Sequence, residues 1–223
     1  IGTNVSMDDF GTYMSYQDFK YYEPKEQRLN KVCFITSNKK FTRGHRDRVN
    51  FANKILKNHI DLIDIYGNGY NPIDDKLEVL SKYKYVLAIE NGLCMDYWTE
   101  KLADSYLAGC HPIYYGCPNI SDYFEQDSMT KVNIRDYNGT INTIKDIIER
   151  DVFSTSREAV LTARNQVLDE YNMFNLIANE VSKIDSYNYL IEKMSLPEII
   201  YPMKYNLKDL VLYKLARLFN IVL

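Results

Sequence analysis

Short, almost continuously apolar runs, each followed by a helical pattern, constrain this chain more than any other feature. Lys31 to Thr36 (KVCFIT) leads through Ser37-Asn38 and a polar loop to Val49, Phe51, Ala52, Ile55 and Leu56 at helical spacing. Leu62 to Tyr66 closes on Gly67-Asn68-Gly69, and a short helix over 76–83 precedes a strand from Tyr85 to Ile89. A helix from about Thr99 to Ala108 stops at Gly109, suited to a left-handed cap, before strands over 112–115 and 131–134. Strands without polar alternation are covered on both faces. The alternation therefore predicts an α/β fold, a doubly wound parallel sheet, with ligands at the carboxyl ends of its strands. Beyond Thr140 the pattern is helical: 141–150, 156–171 with Ser154 or Thr155 as cap, and 173–193. The expected organisation is an incoming segment or linker over 1–30, a sheet domain over 31–152, and carboxy-terminal helices over 153–223 that pack on or beside it.

Charge narrows the partners. Lys and Arg number 27 against 30 Asp and Glu, a net charge of −3, which disfavours a nucleic-acid backbone as ligand. Cys33, Cys94, Cys110 and Cys117 form no C-x-x-C pair and read as free thiols, while His45, His59 and His111 lack metal-ligand spacing. No apolar run approaches bilayer length. Because the first residue is Ile1, the sequence is open to being a piece of a longer protein. The apolar and basic tail over 204–223 fits a docking helix, with peripheral membrane contact as the less common alternative.

The densest cluster of chemistry-bearing residues follows the third strand: Glu90, Asn91, Gly92, then Asp96-Tyr97-Trp98-Thr99-Glu100-Lys101, entering a helix directly. Free N–H groups at that helix start favour an anion such as phosphate, and Lys101 adds a full charge. The plainer alternative, equally compatible with composition, is that Asp96 and Glu100 decorate a first helical turn and Lys101 is solvated. A second basic group, Arg43-Gly44-His45-Arg46-Asp47-Arg48, follows the first strand. Adjacent loops of a parallel sheet converge, so one of these arginines is placed to face the same anion, unless it too is simply solvated. Neither G-x-G-x-x-G nor G-x-x-x-x-G-K-[ST] is present, nor any Asp-x-Asp pair of the kind that holds a diphosphate through a divalent cation.

Glu90-Asn91, Tyr97-Trp98-Thr99-Glu100-Lys101-Leu102, Pro112-Ile113-Tyr114-Tyr115-Gly116 and Pro118-Asn119-Ile120 stand in an order and spacing that resemble the α-1,3/4-fucosyltransferases of glycosyltransferase family 10. The likeness extends more loosely from Lys31 to about Val132, under half of the chain. It implies the Rossmann-like, carboxy-terminal donor half of a GT-B transferase over 31–152. That half would bind a nucleotide sugar, GDP-fucose, as substrate with no cofactor and no obligatory metal, and serve a glycan acceptor through a GlcNAc- or Glc-type hydroxyl. By position, Arg48 and Lys101 resemble the pair that neutralises the diphosphate, and Glu100 the carboxylate that accepts from donor hydroxyls. Asn91 and Tyr97 would complete that pocket. A two-residue shift exchanges Arg48 for Arg46, and Glu90 either orients the strand end or meets the fucose.

Only about 30 residues precede the first strand, too few for an acceptor domain. The general base is therefore expected outside this chain, and the isolated chain is expected to bind nucleotide while transferring little sugar. Asp8 and Asp9 are formal substitutes only. The alternatives are a family member using another nucleotide sugar, or a non-catalytic nucleotide-sugar or glycan-binding module. The expected setting is the bacterial cytoplasm, at the inner face of the membrane, with the Golgi lumen as the eukaryotic alternative.

Overall fold

The computed structural model describes residues 16–191. Five strands form one parallel sheet: β1 (Leu29–Ile35), β2 (Ile63–Tyr66), β3 (Tyr83–Ile89), β4 (His111–Tyr115) and β5 (Thr130–Lys131), in the order β2-β1-β3-β4-β5. The register is continuous across the centre, with Val32 opposite both Ile63 and Tyr85, and Tyr85 opposite His111. Every residue of β4 and all but Lys84 of β3 are buried, as their unbroken apolar runs require.

Period-two alternation along each strand feeds two separate cores. Val32 and Phe34, Tyr85, Leu87 and Ile89, and Ile113 point to one face, packing with Phe51, Ala52 and Ile55 of α2 (Arg43–Asn58) and with Ile141, Ile144 and Ile147 of α5 (Tyr137–Glu149). Cys33, Val86, Ala88 and Tyr114 point to the other, against α3 (Lys76–Leu80), α4 (Glu100–Leu107) and α7 (Arg157–Asp169). The sheet is thus doubly wound. The chain runs from β1 outward to β2, then returns across β1 to β3, so the order of strands reverses between the carboxyl ends of β1 and β3. That is the switch point at which open α/β sheets bind ligands.

Several boundaries differ from the sequence expectation, each for a local reason. Part of the incoming segment is packed onto the sheet domain. The helix α1 (Tyr16–Tyr21) buries Phe19 and is stapled to α7 by Arg164, which donates to the carbonyls of Phe19 and Tyr22. Helix α5 begins at Tyr137, before the expected Ile141, because Asp136 accepts from the Gly139 N–H and draws Tyr137-Asn138-Gly139 into its first turn. A short helix, α6 (Val152–Thr155), starts from Asp151 in the left-handed region at φ 47°. Ser156 precedes α7 without capping it, since its hydroxyl is engaged by His111 Nδ1 at 2.8 Å. Strand β5 is only two residues long, shorter than the expected 131–134. Gly109 does take the left-handed conformation, φ 67°. Helix α8 (Met173–Ile191) closes the described residues. The tail over 204–223, with its expected docking or membrane contact, and Asp8 and Asp9 lie outside them. No helix among the described residues is long and apolar enough to cross a membrane. The four cysteines are free, and only Cys94 is exposed.

Candidate functional site

The floor of the site is set by how closely α2 approaches the end of β3. Thr42 caps the helix, accepting from the His45 N–H, while His45 Nδ1 accepts from the Thr42 N–H at 3.2 Å. One residue into the helix, a Cβ on Gly44 would lie 1.7 Å from the Asn91 carbonyl oxygen. Only glycine lets α2 rest directly on the loop after β3. One turn later Arg48 sits on the buried face beside Val49 and Ala52. Its guanidinium donates to Asn91 Oδ1 at 2.6 Å and reaches Ser37 Oγ at 3.5 Å, and its Nε is buried with no partner among the described residues. Burial pulls its pKa below the ordinary guanidinium value, with Glu90 and Glu100 opposing that shift.

The opposite side is built from the start of α4. Glu90, 1% exposed, accepts from the Thr99 N–H and the Thr99 hydroxyl, both at 2.8 Å. It is a strand-end carboxylate that fixes the helix start. A Cβ on Gly116 would meet Glu90 Cγ at 2.5 Å, so the turn after β4 also needs glycine there. Lys101 Nζ donates to Thr99 Oγ1 and Glu100 Oε1, both at 3.0 Å, and lies 3.5 Å from Glu90 Oε2. Burial acts to lower the Lys101 pKa, but Glu90 and Glu100 outweigh it and hold the ammonium above its usual value. The Glu100 carboxyl, which burial would raise, is brought below the ordinary range chiefly by Lys101. For Glu90 burial prevails over Lys101 and Thr99, and its pKa is raised.

Arg48, Asn91, Glu100 and Lys101 line one open cleft of about 290 Å³, together with Ser37, Lys39, His45, Lys76 and Asp104. That volume falls just short of the range for small-molecule sites, about 300–1,000 Å³. Four cations, Lys39, Arg48, Lys76 and Lys101, face two carboxylates, Glu100 and Asp104, so the wall is net positive while the whole chain is net negative. Such a site favours an anion. Arg46 is exposed and donates to the Lys40 carbonyl at 3.4 Å, away from the cleft. Of the two arginines exchanged by a two-residue shift, Arg48 is the one on the cleft wall. Glu90 lies beneath the wall and Tyr97, 36% exposed, lies beside it, and neither lines it.

Other residues of the cluster are scaffold. Trp98 is buried among Tyr123, Phe124 and Tyr171 with ring centroids 5.1–6.0 Å away. Asp96 adopts φ 59° and is held by Asn119 Nδ2 at 2.7 Å and the Tyr123 hydroxyl at 2.8 Å, which ties the loop after β3 to the loop after β4. His45, Lys39, Lys76 and Asp104 were not singled out as site residues by sequence reasoning. A signal existed for His45 alone, in the T-x-x-H spacing from Thr42. Among the described residues no group of three or more His, Cys, Asp or Glu side chains is arranged to hold a metal ion.

A parallel sheet that reverses its strand order at a cationic cleft defines an α/β domain whose crevice favours an anion over a cation. The family model described as glycosyltransferase family 10 (fucosyltransferase) C-term matches residues 25–153, more than half of the chain, and the chain belongs to this family. It is 30% identical over 129 residues to alpha-(1,3)-fucosyltransferase B of Drosophila melanogaster, covering 55% of this chain and 28% of that protein. Against the Helicobacter pylori alpha-(1,3)-fucosyltransferase FucT the identity is 30% over 145 residues, 65% of this chain and 27% of the relative. Against the human 4-galactosyl-N-acetylglucosaminide 3-alpha-L-fucosyltransferase 9 it is 31% over 143 residues, 62% and 37%. The chain therefore spans about a quarter to a third of the length of these relatives. A solved alpha1,3-fucosyltransferase with GDP-fucose aligns at TM-score 0.47 and 21% identity, over 69% of this chain and 51% of that one.

Proposed function

We propose that this chain is the donor half of a GT-B, inverting α-1,3/4-fucosyltransferase, with the diphosphate of GDP-fucose lodged between Arg48 and Lys101. The observation that carries this reading is the convergence of those two cations, from the opening turns of the helices that follow β1 and β3, on one cleft at the switch point. Arg48 supplies a buried guanidinium with an unused Nε–H, suited to a forked contact with phosphate oxygens. Lys101 is held ionised by Glu90 and Glu100. Glu100, on the exposed rim of that group, is placed to accept from donor hydroxyls, with Asn91 orienting Arg48 and Tyr97 reaching the donor from the cleft edge. No metal is required in this reading, because fixed cations stabilise the charge that develops on GDP.

In the transfer, the acceptor hydroxyl oxygen forms its bond to the anomeric carbon as the bond from that carbon to the phosphate oxygen breaks. GDP departs with the electron pair, and the acceptor proton passes to a carboxylate base supplied from outside the described residues. A GlcNAc- or Glc-type hydroxyl of a glycan is the proposed acceptor. Titration calorimetry with GDP, GDP-fucose, GDP-mannose and UDP-sugars, with and without a chelator, tests the reading. It predicts chelator-insensitive binding with GDP-fucose preferred. Preference for another donor reassigns the sugar, and no nucleotide binding at all leaves the non-catalytic glycan-binding alternative.

A further inference from the structure

His45 lines the same cleft but has no part in the donor reading above. Its ring is fixed from behind. The Thr42 backbone N–H can only donate, so Nδ1, 3.2 Å away, must accept, and the neutral ring carries its proton on Nε2. A proton arriving at Nδ1 displaces that Thr42 N–H bond and finds Thr42 Oγ1, 3.0 Å away, as its acceptor instead. Phe41 stands edge-on to the ring at 6.3 Å. Among the described residues the charged groups acting on the ring are cations: Arg48 from its own helix, Lys39 from the loop after β1, and Lys101 from α4. Across the cleft stand the Lys76–Asp104 pair, at 3.1 Å, and Glu100, which is paired with Lys101. Burial and the three cations together hold His45 below the usual imidazole pKa, so the empty cleft keeps it neutral near pH 7.

A diphosphate reverses that balance, because two or more negative charges then face a ring with one nitrogen free to donate and a second able to take a proton. We propose that His45 is a further donor-binding residue, neutral in the empty cleft and protonated when a diphosphate occupies it, so that nucleotide binding takes up a proton. This inference rests on the reading of the cleft as a diphosphate site. It also accounts for the position of the histidine. In a capping box the residue three after the cap is ordinarily Glu or Gln; here it is an imidazole, which caps through Nδ1 while neutral and exchanges that acceptor for a positive charge when Nδ1 takes a proton.

His45→Gln is the informative variant, since glutamine retains the capping interaction and removes the titration. The experiment is an NMR pH titration of the histidine ring signals of the full chain, with His45 assigned by its loss in the variant, alone and saturated with GDP or inorganic pyrophosphate. The expected result is an upward shift of the His45 midpoint by one pH unit or more with either ligand. GDP affinity should also fall by about tenfold between pH 5.5 and 8 beyond any change seen in His45→Gln, the equivalent of one unit of pKa. The variant cancels the titration of GDP itself. Saturable binding with an unmoved His45 midpoint overturns the inference and leaves the donor site standing. Absence of saturable binding by either ligand overturns the donor-site reading, and this inference with it.

Discussion

Arg48 and Arg164 are buried to nearly the same degree, 5% and 6% exposed, and burial lowers the pKa of both, yet their surroundings differ in kind. Arg164 is spent on structure. It donates to the carbonyls of Leu107, Phe19 and Tyr22, and its guanidinium lies over the Tyr22 ring at 6.0 Å, so α1, α4 and α7 are joined by one side chain. Arg48 makes one short bond, to Asn91, and one long one, to Ser37, leaves Nε without a partner among the described residues, and lines an open cleft. Burying a cation is costly. At Arg164 the fold supplies partners for the buried donors Nε and Nη2; at Arg48 it leaves Nε over, and the proposed diphosphate would make up part of that deficit.

Substitutions sharpen or break this contrast. The largest effect expected is Arg164→Met, which strands the carbonyls of Phe19, Tyr22 and Leu107 and should cost about 3–5 kcal/mol in a denaturant unfolding curve. GDP affinity of the folded fraction should be unchanged. His111 extends the structural side of the contrast: both ring nitrogens are engaged, by Ser156 and Thr130 at 2.8 Å, and burial lowers its pKa to about 4. The unfolded chain binds this proton below about pH 6.5 and the folded chain does not until about pH 4. Stability present above pH 6.5 should therefore be lost progressively as pH falls toward 4, by about 3 kcal/mol in all. An acid unfolding series on wild type and His111→Gln should show that slope flattened in the variant.

On the ligand side, Arg48→Ala and Lys101→Ala should each weaken GDP binding by about 1.5–3 kcal/mol, the range for charged hydrogen bonds. The smallest effect concerns the scaffold beneath. Asn119→Ala releases Asp96 from its positive-φ turn and should lower stability by about 1 kcal/mol, with GDP affinity reduced only a few-fold. A large loss of binding in that variant would mean that the loop after β3 is part of the site itself.

Much of this arrangement is legible in the sequence, and the limits have physical causes. Central strands buried on both faces have few polar residues to confuse the pattern, which is why the expected runs at 62–66, 85–89 and 112–115 fall within a residue or two of β2, β3 and β4. Helical spacing to Phe51 and Ile55 distinguishes Arg48 from Arg46, because a side chain four residues before Ala52 shares its buried face. Short elements fixed by tertiary contacts are not visible in this way. Helix α1 owes its position to Arg164, 145 residues away from Phe19, and α5 owes its first turn to the side chain of Asp136. Pairing within the site is equally hidden. That Glu90 lies under the cleft and holds Thr99, that Tyr97 stands beside the wall, and that Lys76 and Asp104 enter it from α3 and α4 depend on how the elements pack.

In the proposed function, the incompletely satisfied buried Arg48 marks a diphosphate site. The most direct test of that assignment is the dissociation constant of GDP for wild type, Arg48→Ala and Arg164→Met, measured by calorimetry beside their unfolding curves. At least tenfold weaker binding with near-native stability is expected for Arg48→Ala, and native affinity with reduced stability for Arg164→Met. Native affinity in Arg48→Ala would contradict that assignment.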